Sequence, residues 1–199
     1  MLKAPPIQTL PPRQVAWPAP GHWTYDDYQR LPDDGNRYEV ICGVLYIMNT
    51  PNILHQLAIT NLVLEIGSLV RRQGLGILLP APTEVILPGI ATPAQPDVLF
   101  VRAERRHIVA EQQVVGPPDL VIEVLSPSSV RHDRFTKFNA YEEAGIPEYW
   151  IVSPKGRTVE IYQLQEGEYV LAGEYSQDEP LVSPGLGNLG FAAGVLFQS

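Results

Sequence analysis

A chain of 199 residues with 45% hydrophobic and 18% charged residues reads as a globular protein long enough to bury a core. Its formal net charge of -8 argues against coating nucleic acid by bulk electrostatics, although a nuclease site built of metal-binding carboxylates is itself acidic. The single cysteine, Cys42, excludes an internal disulfide and sets the reducing cytoplasm as the expected location. No run reads as a membrane span, and the N-terminus lacks the apolar core of a signal peptide, so no membrane partner is expected.

Residues 1–21 are proline-rich and without apolar period, which predicts an extended arm ahead of one domain over residues 22–199. Thr24 and Asp27 are spaced as a capping pair for a short helix. Tyr38 to Met48 reads as a hairpin turning at Cys42-Gly43. Glu39 lies in its first arm and, taken alone, reads as a solvent-facing strand residue. After Pro51-Asn52 the spacing of Leu54, Leu57, Ala58, Leu62, Ile66, Leu69 and Val70 predicts a helix over about 53–73, closed by Gly74 and Gly76. His55 falls in its first turn and by itself needs no catalytic part.

Leu78 to Leu87 reads as a strand broken by Pro80 and Pro82, bent or at an edge. Gln95-Pro-Asp97-Val-Leu-Phe-Val101 is a further short strand with Asp97 at its entrance, where the aspartate alone would pass as a turn residue. The basic residues Arg102, Arg105, Arg106 and His107 follow in a loop that could receive phosphate beside an acidic site. Pro117-Pro-Asp-Leu-Val-Ile-Glu123-Val-Leu-Ser-Pro-Ser-Ser129 then predicts a buried strand. By alternation Leu120, Ile122 and Val124 face one side of the sheet, and Val121, Glu123 and Leu125 the other. A carboxylate in such a place needs a partner, because a lone buried charge costs several kcal/mol or is forced neutral.

The helix after Ser128 or Ser129 carries Arg131, Asp133, Arg134 and Lys137, and Phe135, Phe138 and Tyr141 predict an apolar stripe against the sheet. Gly145 and Pro147 end it. Glu148 to Val152 is another strand, and Thr158 to Glu174 a second hairpin; the glycine-rich tail from Ser183 carries no clear signal. The element order predicts an α/β fold with a central mixed β-sheet flanked by helices. There is no phosphate-binding glycine loop, no Cys/His metal spacing and no Gly-x-Ser-x-Gly elbow. What remains is a carboxylate constellation, Asp97 and Glu123 on adjacent strands with Lys137 on the next helix. Two such carboxylates can hold Mg²⁺ or Mn²⁺, and a lysine can stabilise charge developing on phosphate. Read without further context, Glu123 could equally form a structural ion pair with Lys137 or Arg134.

The stretches Glu39-Val-Ile-Cys-Gly-Val-Leu-Tyr, Pro51-Asn-x-x-His55, Gln95-Pro-Asp-Val-Leu-Phe-Val, Pro118-Asp-Leu-Val-Ile-Glu-Val-Leu-Ser-Pro-Ser and Lys137-x-x-x-Tyr-x-x-Ala-Gly-Ile-Pro-Glu-Tyr-Trp-Ile-Val resemble the Uma2 family (also called DUF820), classed as putative restriction endonucleases. The resemblance implies the restriction-endonuclease-like fold of the PD-(D/E)xK nucleases. It also implies a metal-dependent endonuclease acting on DNA, with Asp97, Glu123 and Lys137 as the site, Glu39 as a further acidic member and Asp97 and Glu123 as metal ligands. Arg131, Arg134 and His55 are then the candidates for phosphate contacts, and a homodimer is the expected assembly. Two positions depart from the family pattern: Glu123-Val-Leu125 lacks the strand lysine, so Lys137 must reach back from the helix, and Cys42 replaces an aspartate at the hairpin turn. The alternative reading is an inactive dimeric module that binds DNA or protein on the same fold.

Overall fold

The computed structural model describes residues 16–198. Residues 1–15 of the expected arm lie outside the described residues. Beyond them Trp17 stacks on Trp23 with ring centroids 5.5 Å apart. Thr24 and Asp27 form the expected capping box on α1 (Tyr25–Tyr28). The hairpin is β1 (Arg37–Ile41) and β2 (Val44–Met48), and Cys42 and Gly43 both take positive φ, as a two-residue type I′ turn demands. Asn52 caps α2 (Ile53–Gln73) by accepting from the His55 amide at 3.0 Å, and Gly74 closes it in the left-handed region.

By length and composition α2 is long and apolar enough to cross a membrane, contrary to the expectation that no run reads as a span. Here its buried stripe, Ala58, Leu62, Ile66 and Leu69, packs with Phe100, Ile122 and Trp150 as a core helix does. Its only charged residues, Glu65, Arg71 and Arg72, leave the first twelve positions of the helix without a charge.

The remaining elements are β3 (Gly76–Pro80), β4 (Glu84–Leu87), β5 (Ala91–Ala94), β6 (Val98–Arg102), β7 (Gln113–Val115), β8 (Leu120–Val124), α3 (Phe138–Glu143), β9 (Glu148–Ser153), β10 (Thr158–Gln165), β11 (Glu168–Ser176), β12 (Pro180–Ser183) and β13 (Gly187–Ala192). The larger sheet has the order β11-β10-β9-β8-β6-β3 and is mixed, since β8 and β9 run parallel while their neighbours are antiparallel. A second sheet, β2-β1-β5-β4-β7, carries the hairpin. The prolines after Leu79 therefore do more than bend one strand. They divide the predicted Leu78–Leu87 strand between the two sheets, β3 at an edge of the larger and β4 inside the smaller.

Strand β8 keeps the predicted alternation. Leu120, Ile122 and Val124 join the core cluster under α2, while Val121 lies in the opposite cluster with Tyr141 and Tyr149. Glu123 shares the face of Val121, so the one charged residue of the strand points away from α2 and toward α3.

The glycine-rich tail is anchored by Glu148. Its buried carboxylate accepts from the Trp150 indole at 2.6 Å, the Ser183 hydroxyl at 2.7 Å and the Gly185 amide at 2.7 Å. A Cβ on Gly185 would stand 2.7 Å from that carboxylate, which explains the glycine there. The tie holds the β12–β13 hairpin against the larger sheet, a long-range contact that no local signal announces.

Candidate active site

Asp97 stands at the entrance of β6 and Glu123 in the antiparallel neighbour β8, where Val98 faces Ile122 across the ladder. The pairing is reinforced by the Asp97 side chain, whose Oδ2 accepts from the Val124 amide at 2.8 Å. The His55 Nε2 lies 3.1 Å from the same oxygen, so the first turn of α2 braces the aspartate. On the other side of Glu123 the helical segment begins with a π-helical stretch, His132–Lys137. Its wider turn brings His132 and Lys137 to one side, with Asp133 4.0 Å from the ammonium. The same widening turns Phe135 outward: it is 64% exposed, whereas the apolar stripe was predicted to bury it. Phe138 and Tyr141 do pack inward, Phe138 against Tyr162 with centroids 5.0 Å apart.

Lys137 Nζ is 2.9 Å from Glu123 Oε1 and 3.1 Å from Glu39 Oε1, with the side chain only 1% exposed. The lysine displaced from the strand thus reaches the glutamate, as the departure from the family pattern requires. Leu125, standing where a strand lysine would be, packs into the second core cluster instead. Tyr141 adds a second donor to Glu123 Oε1 at 2.9 Å.

Glu39 is 0% exposed, which overturns its reading as a solvent-facing strand residue. β1 lies inside the smaller sheet, and both of Glu39's oxygens are engaged. Oε1 accepts from the Gln95 amide at 2.6 Å, and Oε2 is 3.2 Å from His132 Nε2.

Electrostatically the cluster is unbalanced. Four carboxylates, Glu39, Asp97, Glu123 and Asp133, surround the single ammonium of Lys137. Burial is the largest influence on Glu39, yet Lys137, His132 and the Gln95 amide outweigh it and hold this carboxyl below its ordinary range. Glu123 goes the other way. Burial pushes it well up against the pull of Lys137, and Asp97, Asp133 and Glu39 push it further. Burial also raises Asp133. Lys137 would be lowered by burial, but Glu123 and Glu39 reverse that and keep it firmly charged.

The hydrogen bonds to Asp97 both land on Oδ2 and those to Glu123 on Oε1, leaving Oδ1 and Oε2 for a ligand from outside. Both residues line one cleft of about 470 Å³, with Arg37, Arg131 and Ser128 among its other walls. Among the described residues no three His, Cys, Asp or Glu side chains form a metal-holding cluster.

Residues 25–194 match the Uma2 family, described as "Putative restriction endonuclease". The chain belongs to the Uma2 family. A solved structure of a putative nuclease of DUF820 from Anabaena variabilis superimposes with a TM-score of 0.72. The two are 20% identical over 87% of this chain and 97% of that one, a likeness that establishes the fold. No curated protein sequence matches closely enough to serve as a relative.

Within this Uma2 chain the structure brings together Asp97, Glu123, Lys137, Glu39 and His55, and it places Arg131 on the cleft. Arg134 does not belong with them. Its guanidinium makes a two-pronged pair with Glu160 on β10, one prong Nη1 to Oε2 at 2.8 Å, so the neighbouring strand already holds this candidate phosphate contact. Arg134→Ala should therefore leave any activity at the cleft unchanged and cost about 1 kcal/mol or less in urea unfolding. Loss of activity without loss of stability would return Arg134 to the site. His132 and Gln95 complete the cluster; Gln95 opens one of the family-like stretches but its backbone-amide role leaves no spacing to read, and His132, set by a π-helical turn, carried no sequence signal.

Proposed function

We propose that this Uma2 protein is a metal-dependent endonuclease hydrolysing DNA phosphodiester bonds, with Asp97 and Glu123 as the ligands of Mg²⁺ or Mn²⁺. The observation that carries the reading is the convergence of these two carboxylates, each with one oxygen left for the cleft, beside a lysine supplied by the following helix. Two carboxylates suit Mg²⁺, which keeps several waters and takes further oxygens from substrate phosphate. An excess of buried negative charge around one ammonium favours a divalent cation as well. When bound, the metal would polarise the phosphodiester and lower the pKa of a water nucleophile.

The protein's own groups have separable parts. His55 and the Val124 amide fix Asp97 so that Oδ1 points outward. Lys137 and Tyr141 hold Glu123 by Oε1 and so aim Oε2. Lys137 acts chiefly through that carboxylate, since its ammonium is committed to Glu123 and Glu39. Arg131 and Arg37, which pair with no carboxylate among the described residues, are the cations available to phosphate at the rim. Cutting both strands of a duplex would need two such sites, for which a homodimer is the natural arrangement.

The sealed lysine also favours a second reading, an inactive DNA-binding or interaction module in which the cluster is architectural. Calorimetric titration of Mn²⁺ into wild type and Asp97→Ala/Glu123→Ala, with plasmid nicking in parallel, separates the two. The nuclease reading expects binding and nicking that both vanish in the double variant. No metal binding by the wild type would leave the module.

A further inference from the structure

The walls of the cleft differ in chemistry. One is polar and cationic, formed by Ser126, Ser128 and Arg131 after β8. The other comes from the edge strand β2 and the turn before α2: Tyr46 and Met48, opposite Glu39 and Arg37 in the hairpin register, share one strand face toward the cleft, and Pro51 follows. An apolar wall facing a polar, cationic one suits a ligand that is apolar on one side and anionic on the other. The carboxylates themselves lie at the bottom, Glu123 being 2% and Asp97 9% exposed.

A polynucleotide strand has these two sides, phosphates along one and bases along the other. In a duplex the bases are stacked inside, and a phosphate cannot be lowered into a recess without bringing the rigid helix with it. An unpaired strand can bend into a cleft of about 470 Å³ and lay a base on the apolar wall. We propose that the cleft selects an unpaired polynucleotide strand over an intact duplex, with the backbone along Ser126, Ser128 and Arg131 and a base against Tyr46 and Met48. The inference rests on the nuclease reading for its class of substrate. It gives Met48 a use as well, since a flexible thioether adapts to any of the four bases.

Binding tests it without relying on cleavage. The full chain is titrated, with Ca²⁺ present, into a fluorescein-labelled 20-mer single-stranded DNA and into the same strand annealed to its complement, followed by anisotropy. The single strand should bind about tenfold tighter, a ratio within the range of one base stacked on a side chain. Tyr46→Ser/Met48→Ser, at a half-buried surface and without a change of charge, should remove most of that preference while leaving duplex affinity unchanged. Arg131→Ala should weaken both probes together. Equal or tighter duplex binding, a preference that survives the double substitution, or no binding of either probe would overturn the proposal. If neither the plasmid nor the labelled single strand is cut with Mn²⁺ while the single-strand preference holds, the nuclease reading falls and this one stands. If nicking succeeds while the duplex binds tighter, this one falls alone.

Discussion

Replacing Lys137 by methionine should destabilise the fold by roughly 3–5 kcal/mol at neutral pH, the usual cost of removing one partner from a buried ion cluster. The side chain is 1% exposed, and among the described residues its ammonium is the only cation touching both Glu123 and Glu39. Methionine fills a similar volume, so the loss reports charge rather than a cavity. What it leaves behind are carboxylates that can neither be hydrated nor remain ionised at low cost. Glu39 would keep the Gln95 amide and His132, but Glu123 would retain only Tyr141 among its donors. The deficit should therefore shrink as the pH is lowered, because the stranded carboxylates take up protons in the folded state. Urea unfolding of wild type and variant at pH 5 and pH 7.5 measures both effects. A loss below about 1 kcal/mol at pH 7.5 would mean that the cluster is already neutral and that Lys137 has no structural part.

The legibility of this site in the sequence was uneven, for physical reasons. Alternation in β8 placed Glu123 on the correct face, because a strand flanked by apolar residues on both sides permits only two registers. The proline before Asp97, the Pro51-Asn-x-x-His55 helix start and the Lys137-to-Tyr141 spacing are local, and local signals survive in a sequence. Glu39 was misjudged from its own surroundings because its burial depends on β5 and on the π-helical stretch, both distant along the chain. The stripe containing Phe135 failed for a related reason. An assumed period of 3.6 breaks down where the turn widens to bring His132 and Lys137 to the carboxylates. The division into two sheets was likewise hidden, since β5 and β7 are short and the strands on either side of Pro82 follow one another without a conspicuous loop. The family motifs bridged part of this gap for Glu39 and Lys137, but not for His132.

The second large effect concerns pH and tests whether the cluster carries more negative charge than it can hold without a cation. Glu123 has its folded-state pKa raised above the ordinary carboxylate value, so the folded protein binds a proton that the unfolded chain has already released. With that sign, the metal-free protein loses stability as pH rises from about 4.5, the value for an ordinary glutamate, up through the folded pKa of Glu123. One proton corresponds to a slope of up to about 1.4 kcal/mol per pH unit. Glu39 works in the opposite sense, since its lowered pKa gives stability that is lost only as pH falls below the same ordinary value. Glu123→Gln should remove the alkaline fall while sparing the acid one, for the amide oxygen can still accept from Lys137 and Tyr141. A smaller slope should remain from Asp133, whose pKa is also raised. At pH 8 the metal-free variant should then be more stable than metal-free wild type, an unusual gain from removing half of a buried ion pair. Mn²⁺ should reverse the order, because only the wild type can exchange the proton of Glu123 for the metal, and its binding should tighten with rising pH. Thermal melts from pH 5 to pH 8.5, with EDTA and with Mn²⁺, contain all these comparisons. Parallel pH profiles for the two proteins in EDTA would show that Glu123 stays ionised and that Lys137 alone balances it.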